Sequence, residues 1–229
     1  MAKEVKKKLT KIKKKRWIQI VDAGAFGKAV LGETYVENPE QVMAKTINVN
    51  MMELTRDHKK QNVIITFEVG SLKNEKALAN IVGYGLNASS IKRMMRRGKA
   101  RIDISKIYKT KDGKMVKIKP FVVTRFSTFK STLHSLRASI HKHLQEYLLT
   151  HDYESFVRDL VSNSLQKSLR LKLYKIMPLA SCEIREMKLV TGKKNEEKVE
   201  KVEVKVKEVK TEEKVEKAKE EPKEGKAEE

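Results

Sequence analysis

The pattern of apolar residues predicts a protein that contains both β-strands and α-helices. Apolar and polar residues alternate in 46–51 and 62–69, which is typical of half-buried strands. Apolar residues at helical spacing then recur through 127–150 and 153–174, and a last strand-like run follows at 179–190. The sequence therefore places most strands before the long helices and one strand after them.

The charge of the chain predicts a polyanionic partner. The 229 residues carry 51 basic and 30 acidic side chains, a net charge of +21. Charge of this size favours association with nucleic acid, and no segment pairs a basic face with the broad aromatic and leucine face of a membrane-surface helix. We expect no signal peptide and no membrane span. The single cysteine, Cys182, excludes an intramolecular disulfide framework and favours a reducing, cytoplasmic location.

The strongest candidate for nucleic-acid contact is the segment 88–101. Ser89 and Ser90 are possible helix N-caps, and the spacing of Ile91 and the two methionines Met94 and Met95 predicts a narrow apolar stripe that ends before Gly98. Like charges on one short helix repel, so phosphates are a natural compensation, although a solvated basic face is the alternative. The predicted RNA-binding residues here are Lys92, Arg93, Arg96, Arg97, Lys99 and Arg101.

Both ends of the chain differ in composition from its middle. Residues 1–16 hold nine basic side chains and one acidic side chain, and 193–229 hold 12 lysines and 13 glutamates. Such sequences bury too little apolar surface to offset the entropy of ordering, so we expect a disordered arm and a disordered tail around one domain, 17–192. Trp17 either stacks on an unpaired base or caps the core. The candidate RNA-binding residues of this region are Lys13, Lys14, Lys15, Arg16 and Trp17.

The clearest local signal is a hairpin. Strand-like runs at 102–108 and 115–123 flank Asp112-Gly113, which predicts a type I′ turn. Lys111 and Lys114 beside the turn are candidate RNA-binding residues. A projecting basic hairpin suits insertion between nucleic-acid helices, and a solvated turn is the alternative.

The long helical pattern at 127–150 carries a second basic face. Its candidate RNA-binding residues are Arg125, Lys130 and Arg137. His141 and His143 are two positions apart and do not share a helix face, and no cysteine pair completes a metal site. Phosphate-binding loops and nucleophile motifs are missing as well, so we expect no cofactor, no metal and no enzymatic activity.

The order of these features resembles one protein family. The segments that carry the resemblance are DAGAFGKAVLGET, NIVGYGLNASSIKRMMRRGKARIDI, KTKDG and KIMPLASCEIREMKLV. Together they resemble the S3Ae (S1e) family of small-subunit ribosomal proteins of archaea and eukaryotes, over roughly residues 15 to 190. Eukaryotic members resemble K-x-W-Y followed by an Ala-Pro turn, whereas this chain has Arg16-Trp17-Ile18 and Asp22-Ala23-Gly24 and lacks that aromatic and that proline. Its Lys/Glu tail and short arm resemble archaeal members more closely.

The resemblance implies an α+β fold in which helices flank an antiparallel, β-barrel-like core. It also implies a structural constituent of the small ribosomal subunit that binds rRNA by phosphate neutralisation, on the platform near the mRNA exit and the rRNA 3′ end. Partners would be small-subunit rRNA, neighbouring ribosomal proteins and, near the exit, mRNA, with no homo-oligomer. The alternative is a free-standing RNA chaperone or mRNA-binding protein.

Overall fold

A computed structural model describes residues 15–73 and 76–190, and in this part the chain forms nine β-strands and five α-helices. The strands are β1 (Arg16–Asp22), β2 (Val30–Val36), β3 (Thr46–Asn50), β4 (Val63–Lys73), β5 (Lys76–Leu86), β6 (Arg101–Asp103), β7 (Lys106–Lys109), β8 (Met115–Thr124) and β9 (Leu179–Leu189). The helices are α1 (Met51–Thr55), α2 (Ala88–Met94), α3 (Lys130–Thr150), α4 (Tyr153–Val161) and α5 (Ser164–Tyr174). The α+β class is confirmed.

The chain divides into a compact unit that ends at Leu189 and a second unit, 190–229. Of the second unit the structure describes only Val190, and the first unit is described from Lys15 onward. The predicted disordered tail at 193–229 and most of the predicted arm, 1–14 of 1–16, lie outside the described residues. The last residue of that arm, Arg16, is the first residue of β1.

All nine strands belong to one sheet, whose main path has the order β2-β1-β5-β9-β8-β6. The sheet forks at β5. Strand β4 pairs along the whole of β5, whereas on the other side β1 pairs with residues 76–79 and β9 with residues 83–85. The long strand β5 thus joins the two halves of the sheet.

One pair departs from the expected antiparallel pattern. Strands β1 and β5 run parallel, with Gln19 opposite Lys76 and Asp22 opposite Ala79. The chain reverses direction at each connection between β1 and β5, so the first and fifth strands point the same way and can pair only in parallel. The sequence did not reveal this because the pairing joins residues almost sixty positions apart.

The sheet is not closed into a barrel, in contrast to the β-barrel-like core that the resemblance implies. In the described residues β2 pairs only with β1, β3 only with β4, and both β6 and β7 only with β8. Four strands therefore leave an edge unpaired, and closure would need two of them to meet. Strands β6 and β7 are three and four residues long, too short to continue the sheet around.

The hydrophobic core joins the three long helices to the sheet. The α3 stripe predicted from the sequence is confirmed in part, since Leu136, Ile140, Leu144 and Leu148 are buried. They belong to one cluster with apolar side chains of α4, α5 and the sheet, including Phe67 of β4. In the described residues no helix is both long and apolar enough to cross a membrane.

Candidate nucleic-acid interface

The basic segment 88–101 is anchored on β8 by a small hydrophobic cluster of its own. Ile91 is buried and Met94 half-buried against the buried side chains of Phe121 and Val123. The N-cap of α2 is Asn87, whose Oδ1 accepts a hydrogen bond from the Ser89 N–H at 3.3 Å. The prediction that Ser89 or Ser90 caps this helix is therefore wrong, since both lie inside it.

The helix is shorter than the sequence pattern predicted. It ends at Met94, and Met95 has an extended backbone and a side chain that is 37% exposed, so Met95 does not belong to the apolar stripe. Arg96 and Arg97 consequently lie in a loop rather than on the helix, and Gly98 turns the chain with φ of +75°. A helix with unopposed cations on consecutive turns gains little from continuing, because like charges repel along its surface.

Most cations of this segment are exposed and lack an acidic partner. Within the described residues, Lys92, Arg96, Arg97 and Lys99 form no ion pair. The Arg93 guanidinium donates a hydrogen bond to Asn62 Oδ1 at 3.1 Å. These four cations without an acidic partner make the segment a strong candidate for contact with phosphates.

Arg101 differs from the other five cations, because its guanidinium pairs with the carboxylate of Asp103. The two residues share one face of β6, since side chains two positions apart in a strand point the same way. Asp103 lies just beyond the segment 88–101, so the composition of the segment alone does not show this pair. Arg101 is thus the weakest RNA-binding candidate of the six.

The fold brings Arg125 close to this segment. Two hydrogen bonds join Ala100 to Thr124. The Ala100 N–H donates to Thr124 Oγ1, and the Thr124 N–H donates to Ala100 O, both at 3.0 Å. Lys99 and Arg125 directly adjoin this pair. The buried Thr124 hydroxyl also donates to Phe126 O at 2.6 Å, which fixes the start of the loop leading to α3. Two candidate groups that are distant in sequence therefore meet at this edge of the sheet.

The remaining candidates on α3, Lys130 and Arg137, are exposed. They are seven positions apart and so lie on one face of that helix. The side chains of the predicted second basic face are thus on the surface of the molecule.

The candidates near the N-terminus lie elsewhere, on the opposite edge of the sheet. Trp17 is 67% exposed, so the interpretation that it caps the core is wrong. Its ring centroid lies 5.0 Å from that of Tyr35 on β2, and the Lys15 ammonium lies 5.8 Å from the Tyr35 centroid. Arg16 is exposed and opposite Val36, and Lys13 and Lys14 lie outside the described residues. Sequence reasoning missed Tyr35.

The hairpin between β7 and β8 is present, but its turn and its environment differ from the prediction. The Gly113 N–H donates to Thr110 O at 3.0 Å, and only Gly113 has a positive φ, +77°. This is a type I turn followed by a left-handed glycine, not the predicted type I′ turn. Asp112-Gly113 permits both, so the dipeptide alone could not distinguish them.

The tip of this hairpin is exposed to solvent, and it also contacts the junction of α3 and α4. The Tyr153 N–H donates to the Asp112 carboxylate at 2.9 Å and the Lys111 N–H donates to Leu148 O at 3.1 Å. The Lys111 side chain forms an ion pair with Asp152 at 3.5 Å, and the Lys114 ammonium lies 5.0 Å from the Tyr153 ring centroid. Both lysines are therefore already engaged by the junction of α3 and α4.

Two histidines of α3 pack toward the core, His143 being buried and His141 half-buried. Among the described residues no three histidine, cysteine, aspartate or glutamate side chains lie close enough to hold a metal ion. His143 is buried, and its burial, with a smaller contribution from Lys172, lowers the pKa of the imidazole. A neutral His143 packed parallel to Tyr147, with centroids 6.2 Å apart, is consistent with a role in the core.

Comparison with known proteins places this arrangement in a family. The model of the Ribosomal S3Ae family matches residues 3–193. The small ribosomal subunit protein eS1 of Methanothermobacter thermautotrophicus is 30% identical over 75% of this chain and 88% of its own length. The eS1 proteins of Methanoculleus marisnigri and Sulfurisphaera tokodaii are 25% and 27% identical, over 82% and 79% of this chain and 95% and 93% of their own lengths.

These relatives are archaeal, in agreement with the archaeal-type member that the resemblance implies. The match extends from the basic N-terminal segment to the end of β9 and includes every candidate RNA-binding residue. The chain therefore belongs to the Ribosomal S3Ae family, as an archaeal-type member.

Proposed function

We propose that this chain is a structural component of the small ribosomal subunit and that it binds the rRNA of that subunit by neutralising phosphates. The observation that carries the proposal is an anchored segment, 88–101, whose cations are exposed and mostly unpaired in a member of a ribosomal protein family. Arginine and lysine that neutralise phosphates release condensed counterions, which supplies most of the affinity and makes it depend on salt.

The candidate residues form two groups on the sheet. The first group lies at the β6 edge and consists of the segment 88–101 and Arg125, while Lys130 and Arg137 lie on the exposed face of α3. The second lies on the β1–β2 edge around Trp17. Two separated basic regions suit a protein that contacts rRNA at more than one place. Lys111 and Lys114 contribute less, because the α3–α4 junction holds them.

The family resemblance supports a position on the platform of the subunit, near the mRNA exit and the rRNA 3′ end. Neighbouring ribosomal proteins, and mRNA at the exit, are then further partners. The location of the protein would be cytoplasmic, as a part of the ribosome, and it would act there without catalysis. A free-standing RNA chaperone or mRNA-binding protein would share the charge but would not remain with the subunit.

The triple variant Arg93→Ala, Arg96→Ala, Arg97→Ala tests the site assignment. It should reduce occupancy of small subunits and lower the slope of log affinity against log salt for purified small-subunit rRNA by about 2 to 3, because each phosphate contact contributes about one unit. The three side chains are exposed, so the melting temperature should stay within a few degrees of the parent.

A matched control removes three exposed cations elsewhere: Lys45→Ala, Lys59→Ala, Lys167→Ala. Both triple variants lower the net charge by three, so a general charge effect would weaken both equally. Occupancy and salt slope that are unchanged in the arginine variant, or reduced equally in the control, would contradict the assignment of segment 88–101.

A further inference from the structure

Two aromatic side chains lie side by side and exposed on the β1–β2 ribbon. Trp17 and Tyr35 are directly opposite each other in the antiparallel register, with ring centroids 5.0 Å apart and an angle of 39° between the rings. The alternation of β1 directs Ile18 and Ile20 into the core, so Trp17 points to the opposite face. Trp17 is 67% and Tyr35 52% exposed, so much of both rings faces solvent.

The ribbon leaves these rings accessible because the third strand stops short of them. Strand β5 pairs with β1 only from Gln19 onward, and β2 is an edge strand in the described sheet. Trp17 and Tyr35 therefore occupy a two-stranded part of the ribbon that extends past the sheet. A planar ligand can reach the outer ring faces without displacing a strand.

The charges around the ring pair change sign along the ribbon. On one side the Lys15 ammonium lies 5.8 Å from the Tyr35 centroid. On the other side, two residue pairs further, Gln19 donates a hydrogen bond from its amide to the Glu33 carboxylate at 3.2 Å. A phosphate would be attracted to the Lys15 side and repelled near Glu33. A nucleotide would then place its base on the rings and its phosphate toward the N-terminal end of β1.

We infer that the Trp17–Tyr35 pair is a stacking platform for unpaired nucleotides of single-stranded RNA, an inference that rests on the proposed rRNA-binding function. Every nucleobase has a π-face, so stacking tolerates many sequences. The bases of an RNA duplex are already stacked on one another, so a duplex offers them only at its ends. The platform should therefore distinguish a single strand from a duplex of the same sequence.

A protein partner fits this surface less well. The cores of protein interfaces are depleted in lysine and glutamate, whereas here Lys15 and Glu33 border an apolar area of only two rings. Proteins that bind single-stranded nucleic acids combine aromatic rings with cations in this way. The two exposed rings beside Lys15 therefore favour RNA over a protein as the partner of this surface.

Trp17 is the only tryptophan of the chain, so intrinsic tryptophan emission reports on this site alone. The experiment titrates the full-length protein with one RNA strand of about twelve nucleotides, alone or annealed to its complement. Stacking on a base should quench the emission saturably with the single strand. The duplex should bind through phosphates with little quenching, and its affinity should fall more steeply as salt is added.

Substitutions separate the rings from general charge. Trp17→Ala should weaken binding of the labelled single strand by about tenfold or more, since base stacking contributes that much per base, and Trp17→Phe should retain most of the affinity. Tyr35→Ala keeps the Trp17 probe and should reduce both affinity and quenching. Tyr174→Ala is the matched control, because Tyr174 is 57% exposed on α5, and it should change neither.

The platform would be contradicted if the single strand and the duplex quenched Trp17 emission equally. It would also be contradicted if Tyr174→Ala lost as much affinity for the single strand as Trp17→Ala. Circular dichroism and thermal melting verify that each variant is folded. The proposed function is measured separately, by whether the parent protein sediments with small subunits. A parent that sediments with subunits while single strands leave Trp17 emission unchanged would overturn the platform alone and would indicate a protein neighbour on this face.

Discussion

Charged residues in this protein differ in whether the chain itself supplies a partner. On the paired strands β8 and β9, Lys119 lies opposite Glu186, and both Lys119 and Lys188 bind the Glu186 carboxylate, the latter at 2.7 Å. These two contacts lower the pKa of Glu186 from about 4.5 to about 2. By contrast, Arg96 and Arg97 have no such partner among the described residues. The first kind of charge stabilises the fold, and the second is available to an outside anion.

We expect Glu186→Gln to lower the free energy of unfolding at pH 7 by about 1 to 2 kcal/mol. The folded pKa lies below that of the unfolded chain, so the carboxylate contributes its full stabilisation above pH about 4.5 and loses it as the pH falls toward about 2. Denaturant unfolding between pH 7 and pH 3 should show the two proteins converging. A constant difference across that range would contradict the assignment, and the exposed control Glu53→Gln should change stability by less than about 0.5 kcal/mol.

At the scale of elements, the sequence predicted what periodicity and turn chemistry determine. Helices α3 and α5 and strands β3, β4, β8 and β9 lie close to the predicted ranges, because their burial repeats with the helix or strand period. Features that depend on distant partners were missed. Tyr35 is one of them, since only the β1–β2 register places it opposite Trp17. A local feature was missed as well, because Asn87 and not a serine caps α2.

The hairpin between β7 and β8 is the clearest example, because its partner is the distant N-terminus of α4. Asp112 accepts the N–H of Tyr153, the first residue of α4, although Asp152 precedes that helix and gives no side-chain cap hydrogen bond. The same hydrogen bond is the main reason that the pKa of Asp112 is lowered. The hairpin therefore supplies the cap of a helix forty residues away, which no local pattern could show.

We expect Asp112→Ala to increase the hydrogen-exchange rate of the Tyr153 amide by about five- to tenfold, because that amide loses its acceptor. Asp112→Asn keeps an acceptor oxygen and should stay closer to the parent rate. Exchange measured by NMR on the full-length protein compares the three proteins. If Asp112→Ala leaves the Tyr153 amide unchanged, the hairpin does not cap α4 in solution.

At the scale of the whole molecule, the net charge of +21 indicated an anionic partner, but composition could not locate the charges. The fold puts segment 88–101 beside Arg125 at the β6 edge and the Trp17 region at the β2 edge, with β1, β5, β9 and β8 between them. This separation depends on the sheet order, and in particular on the parallel pairing of β1 with β5, which sequence patterns did not predict.

The proposed function requires that this member of the Ribosomal S3Ae family is an integral part of the small ribosomal subunit. The most direct test is quantitative mass spectrometry of the protein across a sucrose gradient of cell lysate, before and after a high-salt wash. We predict nearly one copy per small subunit, retained after the wash, because several separate contacts must be lost together for release. Loss on washing, or a spread through fractions without ribosomes, would contradict the claim and indicate a peripheral RNA-binding protein.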